Sequence, residues 1–237
     1  MPYVKKTVKA GKTVEIFKYH SARYKSTKNN TRRKNHTTTS TTQQRVNQEM
    51  SEQKLRWLMN ANFSEGDIHL VLTYKQELRP TAEDAVKHLR NYLRRIDRVY
   101  TKLGLEFKYI TVTEYENAAI HHHLVLPSID FRLLQDKWPF GRVRPTLLYG
   151  DNFGNLASYF IKETSKTFNT EEGCFRKRWN ASKNLKQPKI TREVIRADSW
   201  QMVPKALKGY QIIKDSVRDF VTEDGYMSQF YEMRRIE

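Results

Sequence analysis

One cysteine, Cys174, stands in a chain of 237 residues. That scarcity excludes an internal disulfide framework and a zinc site built on paired thiolates. It also predicts a reducing, cytoplasmic compartment. No run approaches the ~18 consecutive apolar residues of a membrane helix. The opening MPYVKKTVKAG lacks the apolar stretch of a secretory signal, so neither membrane insertion nor export is expected. The P-loop pattern G-x-x-x-x-G-K-[ST] is absent as well. Acidic residues are in short supply, 26 against 43 Lys and Arg, for a net charge of +17. An excess of that size points to a polyanion, nucleic acid ahead of an anionic membrane. The 13 Tyr and 11 Phe include rings that could stack on unpaired bases, although most are expected in the core.

The positive charge is unevenly spread. Residues 1–60 hold 14 basic and 3 acidic residues, residues 61–170 hold 15 and 13, and residues 171–237 hold 14 and 10. The middle reads as an ordinary folded domain, and the flanks carry the surplus. Residues 3–19 suggest one or two short strands. Residues 25–44 are Thr-rich, basic and nearly free of apolar side chains, the composition of a flexible loop. Within it Arg32, Arg33 and Lys34 are candidate DNA contacts. Residues 45–61 look helical.

From residue 67 the patterns sharpen. DIHLVLTY (67–74) reads as a buried strand. Thr81 caps a helix whose apolar spacing runs to Leu103 and ends at Gly104. The outer face of that helix (Lys87, Arg90, Arg94, Arg95, Arg98) is basic, and a solvated surface is the default for such a run. Strands are expected over 105–116, 119–128 and 141–149, with Pro145 marking an edge or bulge. Short helices are expected at 129–138 and 155–166. This order predicts an α+β fold around a central antiparallel β-sheet with flanking helices. Residues 170–205 read as irregular, and GYQIIKDS with DGYMSQFYEM as a final hairpin. A basic patch (Arg176, Lys177, Arg178, Lys183, Lys186) is a further candidate for phosphate contact.

The chemistry concentrates in IHHHLVL (120–126). Side chains alternate along a strand, so His121 and His123 share one face and His122 points the other way, toward a structural role. Two imidazoles two residues apart can hold one divalent ion. If Asn117-Ala118 forms a two-residue turn, Glu114 pairs with His121 and Val112 with His123. A four-residue loop would pair Glu116 with His121 instead, a three-residue loop would align neither, and Asp67 is a more distant alternative. Two histidines and one carboxylate leave coordination positions open, which marks a catalytic ion rather than an enclosed structural one. Mg²⁺ or Mn²⁺ would suit a phosphate substrate. Downstream, Tyr159 and Lys162 lie three apart on a helix and so on one face. A cation beside a phenol favours the phenolate, a usable nucleophile.

Taken together, HLVLTY (69–74), IHHHLVL and YFIK (159–162) resemble the HUH endonuclease superfamily. The nearest branch is the rolling-circle replication initiator (Rep) proteins of bacterial plasmids, phages and integrative elements. The likeness covers residues 66–168. It extends loosely through KTVEIFKYHSARY, KETSKTF and RWNASKNL to Rep-like proteins of Gram-positive mobile elements. The middle histidine, His122, stands where that family usually has a hydrophobic residue. The resemblance implies an HUH/Rep-type, ferredoxin-like palm at 66–168. A basic extension at 1–65 and another at 169–237 would flank it. It also implies a bacterial cytoplasmic enzyme that nicks and rejoins single-stranded origin DNA. Tyr159 would attack the scissile phosphate and remain on the 5′ end. Lys162 would assist it, and His121, His123 and best of all Glu114 would hold Mg²⁺ or Mn²⁺. A host helicase and DNA polymerase would be the partners. A single-tyrosine transposase or mobilisation relaxase of the same superfamily, and a non-catalytic DNA-binding regulator, are the alternatives.

Overall fold

The computed structural model describes residues 3–21, 40–114, 119–168, 177–196 and 202–236. The chain forms two compact units, one of Met1–Gln44 with Gln187–Glu237 and one of Arg45–Lys186. Both contain an antiparallel sheet, so the α+β class holds with two sheets in place of the single central one expected.

The first unit begins with a hairpin, β1 (Tyr3–Ala10) and β2 (Thr13–His20). Ala10 pairs with Thr13 across a two-residue turn, and Gly11 supplies the positive φ of 58° that the turn needs. The second unit contributes α1 (Thr41–Asn62) from Arg45 onward, β3 (Ile68–Thr73), α2 (Ala82–Lys102), β4 (Ile110–Glu114), β5 (His121–Leu126), α3 (Arg132–Gln135), β6 (Val143–Leu147), α4 (Gly154–Phe168) and the two-residue β7 (Asn180–Ala181). The chain then returns to the first unit with β8 (Lys189–Ile195), β9 (Tyr210–Ile212), β10 (Arg218–Val221) and β11 (Met227–Arg235).

In the first unit the sheet order is β10-β11-β2-β1-β8, with β9 paired to β11. Residues expected as separate basic extensions thus share one sheet, centred on Val14, Ile16, Tyr231 and Met233. β8 lies in a stretch expected to be irregular. Its KITREVI sequence is exposed along nearly its whole length, so no apolar alternation marks it. The expected final hairpin exists as the β9–β11 pairing, with β10 inserted as a tighter partner of β11.

The sheet of the second unit runs β6-β3-β5-β4-β7. Alternation along its central strands builds a core on each face. Ile68, Leu70, Leu72, Leu124 and Leu126 meet α2 on one side through Ala85, Leu89, Tyr92, Ile96 and Tyr100. Ile110, Val112 and Val125 meet α1 and α4 on the other, against Leu55, Met59, Ala157, Phe160 and Ile161. Thr81 caps α2 by accepting from the Asp84 amide at 3.2 Å. Pro145 falls in the edge strand β6, where its missing N–H costs no ladder bond. At Gly141 the chain passes so near β3 that an added Cβ would lie 2.1 Å from the Thr73 carbonyl oxygen.

Two expectations need correction here. Helix α1 starts at Thr41, inside the stretch expected to be loop; residues 22–39, with Arg32, Arg33 and Lys34, lie outside the described residues. The strand expected from 105 begins only at Ile110. Before it, side chains supply part of the pairing: Asn184 Nδ2 donates to the Phe107 carbonyl at 3.1 Å, and the Tyr109 amide donates to Ser182 Oγ at 3.0 Å while its carbonyl accepts from the Ser182 amide at 3.0 Å.

Candidate metal centre

Strand β5 is flanked by β3 and β4, so its side chains are held from both sides. Its register with β4 pairs Glu114 with His121 and Val112 with His123, the pairing that a two-residue turn requires. The connection itself, 115–118 with Glu116, lies outside the described residues. Because Ile110, Val112 and Val125 face α1 and α4, the same alternation turns Glu114, His121 and His123 to that face.

Glu114 Oε2 lies 2.9 Å from His121 Nε2 and 3.9 Å from His123 Nε2. One ligand atom from each residue falls within 4.8 Å of the others, a group that could hold a metal ion. The hydrogen bonding around it fits a cation. His121 Nδ1 sits 2.9 Å from the Ala119 carbonyl, which can only accept, so Nδ1 carries the proton and Nε2 turns toward the carboxylate. Two lone-pair atoms 2.9 Å apart need a positive charge between them, a proton or a metal. His123 Nε2 is fully enclosed and has no hydrogen-bond partner among the described residues, a group that is costly to bury unless something ligates it.

His69 completes the arrangement. Its Nε2 lies 3.1 Å from His123 Nδ1, and its ring also touches Phe160. Were His123 Nε2 to hold an ion, Nδ1–H would donate to His69, the kind of outer contact that orients a ligating imidazole. Burial pushes His69 down to about 4. Burial, followed by its neighbours His69, His121 and His122, pushes His123 down to about 3. Both rings are therefore neutral at ordinary pH, as ligation and acceptance require. The sequence reading passed over His69. Its signal was its place in HLVLTY, two residues from Val71, which pairs with His123.

His122 occupies the opposite face and is fully buried. Its Nδ1 meets Thr113 Oγ1 at 2.8 Å and its Nε2 meets Tyr74 Oη at 3.0 Å. Burial lowers it from 6.5 to about 3. Unfolded, this imidazole takes a proton below pH 6.5; folded, it refuses one until about 3. The stability it leaves intact above pH 6.5 is therefore lost as pH falls through that window. We expect urea unfolding in chelator to show stability falling from pH 6.5 to 4. His122→Asn should flatten that slope by up to one proton, about 1.4 kcal/mol per pH unit. Parallel slopes for the two proteins would show that the ring is not shielded from water.

On α4, Phe160 and Ile161 are buried in the core, and Tyr159 next to them is 42% exposed. The Tyr159 ring stands edge-on to His123, centroids 5.5 Å apart at 85°. Helix and strand thus bring the phenol against the imidazole cluster. Lys162 is exposed on the following turn of the helix. Among the candidate phosphate contacts, Lys177 and Lys183 are exposed, Arg178 is half-buried with its guanidinium pKa lowered by that burial, and Arg176 lies outside the described residues.

Residues 67–168, a little under half of the chain, match the family described as replication-associated protein ORF2/G2P. The match agrees with a rolling-circle Rep protein of the HUH kind. No curated protein and no solved structure matches the chain. No helix among the described residues is long and apolar enough to cross a membrane.

Proposed function

We propose, from the premise that residues 67–168 are of the replication-associated ORF2/G2P type, that the chain is a rolling-circle initiator that nicks and rejoins one DNA strand through Tyr159. The observation that carries this reading is the edge-on contact between the Tyr159 ring and His123. Packing of α4 on the sheet brings a candidate nucleophile and a candidate ion site, 36 positions apart in sequence, to one place.

Glu114, His121 and His123 would hold the divalent ion, Mg²⁺ or Mn²⁺, which supplies a Lewis acid for the scissile phosphate. Tyr159 Oη attacks phosphorus, and the bond to the 3′ oxygen breaks. The phosphate stays on the phenol as a 5′-phosphotyrosine, and the leaving 3′ oxygen takes up a proton. Attack by a 3′-OH on that diester reverses the step and rejoins the strand. A free phenol is only about 0.1% ionised at neutral pH. Lys162, one turn along α4, supplies positive charge on the tyrosine's side of the helix. Covalent storage of the phosphate keeps the bond energy available for rejoining. Helicase and polymerase would come from the host.

The test is to incubate the protein with 3′-end-labelled single-stranded DNA carrying a randomised segment, plus Mn²⁺, and to run a denaturing gel. A protein-linked band should appear, and peptide mass mapping should put the nucleotide on Tyr159. Cleavage without a linked band, or linkage at another residue, would overturn the assignment.

A further inference from the structure

We infer that the outward face of α2 is a docking surface for duplex DNA, on the side of the sheet away from the ion site. The inference rests on the nucleic-acid reading above and adds a second, non-cleaving contact to it. The buried line of α2 (Ala85, Leu89, Tyr92, Ile96, Tyr100) faces the sheet, which leaves Arg90, Arg94, Arg95, Arg98 and Lys102 exposed on the opposite face.

A merely solvated helix face mixes its signs. The start of α2 does so, with Lys87 held 2.9 Å from Asp84. Beyond it, Arg90, Arg94, Arg98 and Lys102 follow one another at intervals of four, the spacing at which like charges repel and destabilise a helix. The helix dipole accounts for cations in the last turn. It does not account for Arg90 and Arg94 in the middle.

Clefts lie on both flanks of this ridge. One of about 280 Å³ is lined by Arg95, Arg98, Val99, Lys102 and Lys137, with no acid. The Arg95 guanidinium there is pinned to the Lys137 carbonyl at 3.1 Å. The other, of about 480 Å³, brings Lys183 against Arg90 and Arg94, with Asp97 its one carboxylate. Cations on a ridge and in the furrows beside it suit the two phosphate backbones of a duplex. A single-strand site would need exposed rings for base stacking. Here Tyr92 and Tyr100 are buried, and Phe107 is already packed against Tyr100 and Tyr109.

The test compares the full chain with the Arg90→Gln/Arg94→Gln/Arg98→Gln variant on a 30-base-pair duplex by fluorescence anisotropy, from 50 to 200 mM salt. Loss of three phosphate contacts should lower affinity roughly tenfold or more and reduce the log–log salt slope by about 0.9 per contact. Adduct formation on a short single strand should be unchanged. The matching triple Lys variant should bind as the parent does. Single Arg94→Gln, with an expected slope change of about 0.9, serves if the triple variant fails to fold. Unchanged duplex affinity and slope would overturn the proposal, as would equal loss of single-strand binding, which would make the occupant a single strand. A parent that binds duplex through these arginines yet forms no adduct would leave this surface standing and remove the nicking reading.

Discussion

Tyr159→Phe should abolish the covalent protein–DNA product, by a factor of at least about 10³, while the fold and ion affinity stay as they were. Phenylalanine keeps the ring that packs edge-on against His123 and removes only the oxygen that bonds to phosphorus. The lost factor is large because nothing replaces a missing nucleophile. Residual strand scission by water would leave free 5′-phosphate ends and no linked band, so the two routes separate on one denaturing gel. A linked product that survives in this variant would move the nucleophile to another residue. A loss matched by equally weak Mn²⁺ binding would mean that the oxygen serves the ion and not the phosphate.

The second large effect is expected at His123. Mn²⁺ should raise the melting temperature of the parent protein: an ion at 100 times its dissociation constant adds about 2.7 kcal/mol, worth roughly 5–10 °C in a domain of this size. His123→Ala should erase that shift and cleavage together, because the enclosed Nε2 is removed. His69→Ala should keep the three ligand groups yet bind the ion about 10- to 100-fold more weakly, the usual cost of losing an outer hydrogen bond. Calorimetric titration with Mn²⁺ reads both. A parent protein with no thermal response to Mn²⁺ or Mg²⁺ would sink the metal assignment.

What the sequence made legible was local. The H-x-H alternation and the buried line of α2 follow from periods of two and 3.6, which neighbouring residues impose on one another, and the cap at Thr81 follows from its residue type; the register of Glu114 was legible only as one of the pairings that different loop lengths allow. The pairing of β2 with β11 was not legible, since it joins residues more than 200 positions apart with no local signature. Strand β8 was hidden because its side chains are exposed. His69 was hidden for a different reason. It sits where an apolar strand residue would also fit, and only the packing of β3 beside β5 shows that its ring ends on His123. The basic face of α2 was visible as charge, and the sign pattern acquired meaning only with the clefts on its two flanks.

The hydrogen bonds of His122 have one more consequence. Three identical rings in a row give β5 little to distinguish one alignment from the next: slipped by a residue, it would still offer an imidazole to α4. The slipped strand would carry His121 and His123 into the apolar layer beneath α2, where Tyr74 and Thr113 could satisfy only one of them. The tyrosine and threonine therefore act as a key cut for a single tooth, rejecting misaligned sheets before any substrate arrives.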